Sequence, residues 1–388
     1  MKPPPDTYNP ATTGQRVDQI DTPALVVDLD AMERNIQRMA EFARKHQVRW
    51  RPHAKMHKSA ELALQMQAAG ATGACVQKTA EAEALAAGGV NDIFISNEVV
   101  APHKLLRVAR LAALLAARGG RLAIAVDSPE GIQRLGEALA AARAAADVLI
   151  EIDVGQGRCG AAPGPETLAL AQAVHGQPQM RFAGLHAYHG GAQHLRSARA
   201  RREAIAGAVE AARRTRDLIA AAGIDVPLVT GAGTGTLVHE AASGVYGELQ
   251  AGSFLFMDAD YAANEREPAQ PNFEHALFVK TQVISARATH AVCDAGHKSH
   301  AIDSGLPRVL AQDDRHALDY ASGGDEHGIL RARRPGGHLP ALGQMLWLIP
   351  GHCDPSVNLH DVMVGVRGGL EGGAVERLLR VDARGALS

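Results

Sequence analysis

From residue 24 to about 255, short apolar runs alternate with longer Ala-, Leu- and Arg-rich segments of helical period, the pattern of a mainly parallel α/β structure. The runs predicted as strands are 24–28 (ALVVD), 48–51 (VRWR), 72–76 (TGACV), 92–96 (DIFIS), 121–126 (RLAIAV), 147–152 (DVLIEI), 182–187 (FAGLHA), 226–230 (VPLVT) and 246–250 (YGELQ). Helical period fills 30–46, 102–118, 129–145 and 196–222, with Asp30 and Ser128 where N-caps are expected. Nine strands are one more than the eight that a (β/α)8 TIM barrel fits into about 250 residues. The run 24–28, which comes after the turn-like Asp21-Thr22-Pro23 and passes directly into a helix, is the one to assign elsewhere. After about residue 270 the texture changes to short β-rich runs (ALFVKTQVISA, HAVCDAG, MLWLIP, VMVGVR) broken by Gly, Pro and Asp, the pattern of an antiparallel β domain. The expected organisation is an N-terminal extension (1–23), a barrel (24–265) whose first strand joins the β domain, and a C-terminal β domain (266–388).

Composition narrows the function classes. Hydrophobic residues make up 46% and charged residues 21% of 388, which excludes disorder or coiled coil as an account of the whole chain. Lys plus Arg is 40 against 42 for Asp plus Glu, so no strong field points to nucleic acid or a membrane surface, and a small neutral or zwitterionic substrate fits better. Cys75, Cys159, Cys293 and Cys353 have no paired spacing and are expected to be reduced thiols. The opening MKPPPDTYNPATTGQ has no apolar h-region, and no stretch reaches about 18 apolar residues, so a cytoplasmic protein is expected.

Catalytic groups of such barrels project from the C-terminal strand ends, so the residues just after each run are the first candidates for chemistry. The strand at 48–51 runs into Pro52-His53-Ala54-Lys55-Met56-His57-Lys58, the next into Gln77-Lys78, and that at 147–152 into Asp153-Val154-Gly155-Gln156-Gly157-Arg158. The last three lead to Tyr188-His189-Gly190, to Gly231-Ala232-Gly233-Thr234-Gly235-Thr236, and to Ala251-Gly252-Ser253. Gly-rich turns after the last two barrel strands are where these barrels bind a phosphate. Gly155 to Gly160 matches G-x-G-x-x-G, but Ala173 to Gly184 contains no acid, so a dinucleotide site is rejected. Lys55 at the barrel mouth, held with a lowered pKa, could form a Schiff base with a carbonyl cofactor, and Lys58 is the rival position. Phosphate site and lysine together suggest pyridoxal phosphate. In an extended segment His352 and Asp354 would point to one face and share a hard divalent cation while Cys353 points away.

These segments, with Asp21-Thr22-Pro23, Met257-Asp258-Ala259-Asp260-Tyr261 and Pro350-Gly351-His352-Cys353-Asp354-Pro355, resemble the fold-type III, alanine racemase-like pyridoxal-phosphate enzymes, in their D-threonine aldolase and D-serine dehydratase branch. The resemblance covers nearly the whole chain. It implies that Lys55 carries the cofactor, that Arg158 faces the pyridine nitrogen, that Thr234, Gly252, Ser253 and Tyr261 hold the phosphate, and that Gln77 and Tyr188 flank the ring. A nitrogen facing an always-protonated arginine stays unprotonated and makes a weaker electron sink, so another group must help break the substrate bond. In the family's aldolases the His and Asp matching His352 and Asp354 bind a metal, Mn2+ or Mg2+ being expected here, whereas the dehydratases typically carry cysteine at the Asp354 position. His194 matches a family histidine near the substrate and is the candidate base.

The resemblance thus implies a homodimeric aldolase cleaving D-threonine or 3-hydroxy-D-aspartate to glycine and an aldehyde. The alternatives are a D-serine or hydroxyaspartate dehydratase and a non-catalytic pyridoxal-phosphate protein. Such carriers are lone barrels, and the extra β domain argues against that class. Lys298, His297, His300 and Arg308 in the β domain are read as solvated rather than as substrate-facing.

Overall fold

The structure, a computed structural model, describes residues 9–311 and 313–388; residues 1–8 of the expected N-terminal extension lie outside the described residues. The first strand is β1 (Ala24–Asp28), and the next eight are β2 (Arg49–Trp50), β3 (Ala74–Val76), β4 (Asp92–Ile95), β5 (Arg121–Val126), β6 (Ala146–Glu151), β7 (Met180–Ala187), β8 (Val229–Gly231) and β9 (Glu248–Leu249). β2 to β9 form one parallel sheet in the order β2-β9-β8-β7-β6-β5-β4-β3. Its edges meet, because His53 bridges Cys75 in parallel register and the Cys75 N–H donates to the Pro52 carbonyl at 3.0 Å. The result is the expected (β/α)8 arrangement.

β1 belongs to the other sheet. That sheet adds β10 (Leu277–Ala286), β11 (Ala291–Cys293), β12 (Arg308–Val309), β13 (Leu318–Ser322), β14 (Gly328–Ala332), β15 (Met345–Ile349), β16 (Val362–Arg367) and β17 (Ala374–Arg380). Ala24 to Val27 lie antiparallel to Leu277 to Lys280, while Val26 to Asp28 lie parallel to Val364 to Val366. The expected antiparallel domain therefore contains one parallel pair. Apolar clusters cover both faces of β1, Leu25 and Val27 in one and Ala24 and Val26 in the other, and these four residues are all buried.

Helix boundaries obey local chemistry. Asp28, not Asp30, caps the helix Leu29–Lys45, since its extended backbone lets the carboxylate accept from Asp30 N–H at 3.0 Å and Ala31 N–H at 3.1 Å. Ser128 caps Pro129–Ala142 as expected, accepting from Gly131 N–H at 3.3 Å. That helix ends three residues before the predicted 145 because Arg143 adopts a left-handed φ of 51°. The long helix Ala198–Ala221 starts after Ser197, its cap.

Packing leaves the barrel mouth polar. Ile93, Ile95, Val108 and Leu115 fill the layer between strands and helices, and Cys75, Phe94, Ala125 and Leu149 form a small apolar plug of the same sheet. A further cluster joins Phe254 and Leu255 of the barrel to Leu277 and Val279 of β10, so the two sheets share a core. The four cysteines are free. Among the described residues no helix is long and apolar enough to cross a membrane.

Candidate active site

A cavity of about 510 Å³ opens where the barrel strands end, and its wall includes Lys55, Gln77, Arg158, Tyr188, His194, Thr234, Gly252, Ser253, Tyr261, His352 and Asp354. Every residue that the resemblance assigns to cofactor, metal or catalysis is thus in one place.

Lys55 sits in a single 3-10 turn, Ala54–Met56, directly after β2, and its Nζ lies 2.6 Å from Asp354 Oδ2. The Asp354 carboxylate raises the Lys55 ammonium above the ordinary lysine value and outweighs burial, which acts the other way. The expectation of a lowered lysine pKa is therefore corrected for the free amine: the nearest group is an anion. Reciprocally, burial pushes Asp354 up, but Lys55 and then His352 leave it below the usual carboxylate range. The rival Lys58 takes no part in the cavity. It is buried, with Nζ 2.7 Å from Glu81 Oε1 and 3.3 Å from the Ala383 carbonyl.

His53 packs beside Lys55. Its Nδ1 accepts the Lys55 backbone N–H at 3.3 Å, which leaves Nε2 as the N–H, 3.2 Å from Gln77 Oε1. Burial, reinforced by Lys55, pushes His53 down to about 3, so it is a neutral donor.

The same cavity holds an anion cradle. The backbone N–H groups of Gly233, Thr234, Gly252 and Ser253 have no acceptor among the described residues, an arrangement suited to phosphate oxygens. The side chains of Tyr261 and Ser253 line the cavity with them. Gly252 has to lack a side chain, because a Cβ there would stand 2.6 Å from the His53 carbonyl oxygen. Gly252→Ala is expected to displace the His53 to Met56 segment and weaken pyridoxal-phosphate affinity at least tenfold, on the order of 1–3 kcal/mol of overpacking. Titrating the cofactor-free variant with pyridoxal phosphate checks this; wild-type affinity would show that the segment yields without cost.

Arg158 and Tyr188 also line the cavity, the guanidinium carbon 5.8 Å from the Tyr188 ring centroid. Glu151 Oε1 stands 3.5 Å from Arg158, and its Oε2 is 3.0 Å from His186 Nδ1, whose Nε2 reaches Gln250 Oε1 at 3.2 Å. Burial acts to raise the Glu151 carboxyl, but His186 and Arg158 hold it low. The glycine turn ahead of Arg158 is organised inward. Asp153 Oδ1 accepts from Gly155, Gln156 and Gly157 N–H at 2.9, 3.0 and 3.0 Å, so these groups are not available to a phosphate. This agrees with the rejection of a dinucleotide site.

The Gly157 N–H, with those of Gly155 and Gln156 adding to it, holds the Asp153 carboxyl below its ordinary value. A depressed folded-state pKa contributes stability that is fully present above the unfolded value of about 3.9 and is lost as pH falls through the folded value. Asp153→Ala is expected to cost about 1 kcal/mol at pH 7, a figure reduced for partial exposure. Denaturant unfolding of both proteins at pH 7, 5 and 4 should show a constant difference that shrinks only at lower pH. No difference at pH 7 would remove this role.

The remaining corner is built by the β domain. His352 and Asp354 are not in an extended segment, as the i, i+2 argument assumed: His352 is the N-cap of the short helix Cys353–Val357 and Asp354 lies in its first turn. They converge nonetheless, His352 Nε2 standing 3.7 Å from Asp354 Oδ1, with Cys353 buried beneath. Asp354 Oδ1 is buried without a hydrogen-bond partner. A lone pair and a free carboxylate oxygen so placed suit a hard cation, whose neighbouring ligands at about 2.1 Å would stand roughly 3.0 Å apart after a small adjustment. Among the described residues no group of three or more His, Cys, Asp or Glu converges, so the protein offers two donors. Asp258 ties this corner to the cradle by accepting from Cys353 N–H at 3.1 Å and Tyr261 N–H at 2.9 Å, and burial pushes it up to about 6. His194, half-exposed to the cavity, directs Nδ1 to Asp260 Oδ2 at 2.6 Å.

The β-domain residues set aside as solvated divide. His297, Lys298 and Arg308 do not line the cavity, Lys298 pairing with Glu326 and Asp325. His300 is a correction: it is fully buried, its Nε2 2.9 Å from the Tyr320 hydroxyl. Sequence reasoning gave His53 and Gln156 no role beyond their strand-end segments and missed the wall residues Ser96, His186 and Gln250. His186 and Gln250 had a signal, since each is a polar residue at the C-terminal end of an apolar strand run.

The fold and this cavity define a class. The alanine racemase N-terminal domain family matches residues 27–260, and a putative serine dehydratase domain matches residues 276–366; the chain belongs to the alanine racemase-like family. Within it, the chain is 43% identical over 377 residues to a D-threonine aldolase of Arthrobacter sp (97% of this chain, 96% of that protein). It is 40% identical over 382 residues to a 3-hydroxy-D-aspartate aldolase of Paracoccus denitrificans (strain Pd 1222), covering 97% and 95% of the two chains. The crystal structure of a D-threonine aldolase from Filomicrobium marinum superposes with a TM-score of 0.92 at 42% identity, over 98% of this chain and 100% of that one.

Proposed function

We propose that the protein is a lyase of the D-threonine aldolase type, cleaving the Cα–Cβ bond of D-3-hydroxy amino acids to glycine and an aldehyde with pyridoxal 5'-phosphate and a divalent cation, Mn2+ or Mg2+. The observation that carries this reading is the meeting of Lys55, an anion cradle and the His352–Asp354 pair in one cavity. Lys55 would hold the cofactor's carbonyl carbon, Thr234, Gly252, Ser253 and Tyr261 its phosphate, Gln77 and Tyr188 its ring, and Arg158 its ring nitrogen. Bound there, pyridoxal phosphate supplies the electron sink for the charge left on Cα. His352 and Asp354 would hold the cation, which supplies Lewis acidity at the substrate's 3-hydroxyl.

The chain's own part is proton handling and orientation. Because His194 Nδ1 is committed to Asp260, its Nε2 is the atom able to take the hydroxyl proton, and the Asp260 carboxylate steadies the imidazolium that results. Arg196 also binds Asp260, so that carboxylate stays ionised for this task. His53, neutral, donates within the wall and moves no proton.

D-Threonine should give glycine and L-threonine none, as measured by amino-acid analysis. A protein that binds pyridoxal phosphate but turns over neither isomer would be the non-catalytic carrier. The dehydratase reading, which the 276–366 match favours, would expel the hydroxyl and yield ammonia and an oxo acid. We further propose a cytoplasmic homodimer; the exposed apolar side chains Val100 and Leu195, close in sequence to cavity residues, and Ile302 and Leu306, on the loop whose Asp303 meets His352, support a covered mouth. A sedimentation mass of one chain in the fully active enzyme would refute the dimer.

A further inference from the structure

Asp303 lies on the loop between β11 and β12, outside the cavity wall, and its side chain is 51% exposed. Its Oδ2 stands 2.7 Å from His352 Nδ1. A carboxylate can only accept, so Nδ1 carries the hydrogen, and in the neutral imidazole the lone pair is left on Nε2. Nε2 is the atom that faces the partnerless Asp354 Oδ1. The contact therefore selects both the tautomer and the ring orientation that point a donor at the carboxylate.

The loop is held in place for this. The Ser304 hydroxyl donates to Asp303 Oδ2 at 3.1 Å, fixing the carboxylate. The backbones also touch: a Cβ on Gly351, next to His352, would stand 2.2 Å from the Gly305 carbonyl oxygen. Close approach of residues 305 and 351 fixes the span over which Asp303 reaches the imidazole.

We propose that Asp303 is the positioning residue of the divalent-metal site, acting through His352. A carboxylate behind a metal-bound histidine fixes the tautomer and raises the basicity of the ligating nitrogen, and its removal typically weakens metal binding by about 10–100-fold. The proposal rests on the metal reading of His352 and Asp354. Because Asp303 is half exposed, its replacement leaves the buried core intact.

The test is Mn2+ binding to the pyridoxal-phosphate-loaded protein, read from the electron paramagnetic resonance of free Mn2+, for wild type, Asp303→Ala, Asp303→Asn and His352→Ala. Asp303→Ala should bind Mn2+ about 10–100-fold more weakly, with the cofactor's visible absorption unchanged. Asp303→Asn, which keeps an oxygen for the Nδ1 hydrogen but no charge, should fall between. With D-threonine, the Mn2+ concentration for half-maximal rate should rise in Asp303→Ala while kcat at saturating Mn2+ returns close to wild type. Wild-type Mn2+ affinity in Asp303→Ala, with affinity lost in His352→Ala, would overturn the role of Asp303 alone. Wild-type affinity in His352→Ala would overturn the metal site itself, and the proposal with it.

Discussion

Replacing Lys55 by alanine is expected to remove both the visible absorption of the bound cofactor and catalysis, lowering kcat/KM for D-threonine by more than about 1,000-fold, on the order of 4 kcal/mol of transition-state stabilisation. Lys55 is the lysine that opens onto the cavity, and no second amine stands there to replace it among the wall residues. The companion variant Lys58→Ala should behave differently. Lys58 pairs with buried Glu81, so its removal strands a carboxylate and costs stability, about 3–5 kcal/mol, while the folded fraction keeps the absorption band. Spectra of both purified variants after dialysis against pyridoxal phosphate decide the matter. A band that survives in Lys55→Ala and vanishes in folded Lys58→Ala would move the attachment point to residue 58.

The second large effect concerns Asp354. Asp354→Ala should keep the cofactor's absorption, bind Mn2+ at least 100-fold more weakly and lose about 100- to 1,000-fold in cleavage rate, since one of two protein donors is gone and several kcal/mol of Lewis-acid stabilisation goes with it. Chelator treatment of the wild type should reproduce that loss, and added Mn2+ should restore only the wild type. Asp354 also raises the Lys55 pKa, so in metal-free protein its removal should lower the pH at which Lys55 becomes neutral and captures pyridoxal phosphate. Stopped-flow capture rates across pH read this shift; an unchanged profile would mean that Asp354 does not govern the lysine.

The barrel and most of the cavity were legible because each catalytic segment comes directly after an apolar run, so strand ends can be read as active-site positions without knowing the three-dimensional course of the chain. The surplus of one strand likewise pointed to Ala24–Asp28, which lies between β10 and β16. What could not be read depends on contacts across long sequence separations. Asp303 meets His352 from 49 residues away on an irregular loop, and Glu151 meets His186 from 35. The sign of the Lys55 shift was missed for the same reason, since Asp354 comes from the other sheet-bearing region. The spacing of His352 and Asp354 suggested convergence for the wrong cause: the helix Cys353–Val357, not a strand, turns both toward the cavity.

The central claim, that the cofactor at Lys55 and a metal at His352 and Asp354 act together on one D-3-hydroxy amino acid, is tested most directly by product analysis. Pyridoxal-phosphate-loaded protein is incubated with D-threonine in chelator and after addition of Mn2+. Glycine and acetaldehyde are expected in equal amounts in the presence of Mn2+, and little of either in chelator. Ammonia and 2-oxobutanoate in place of glycine, or glycine formed in chelator at the Mn2+ rate, would contradict it.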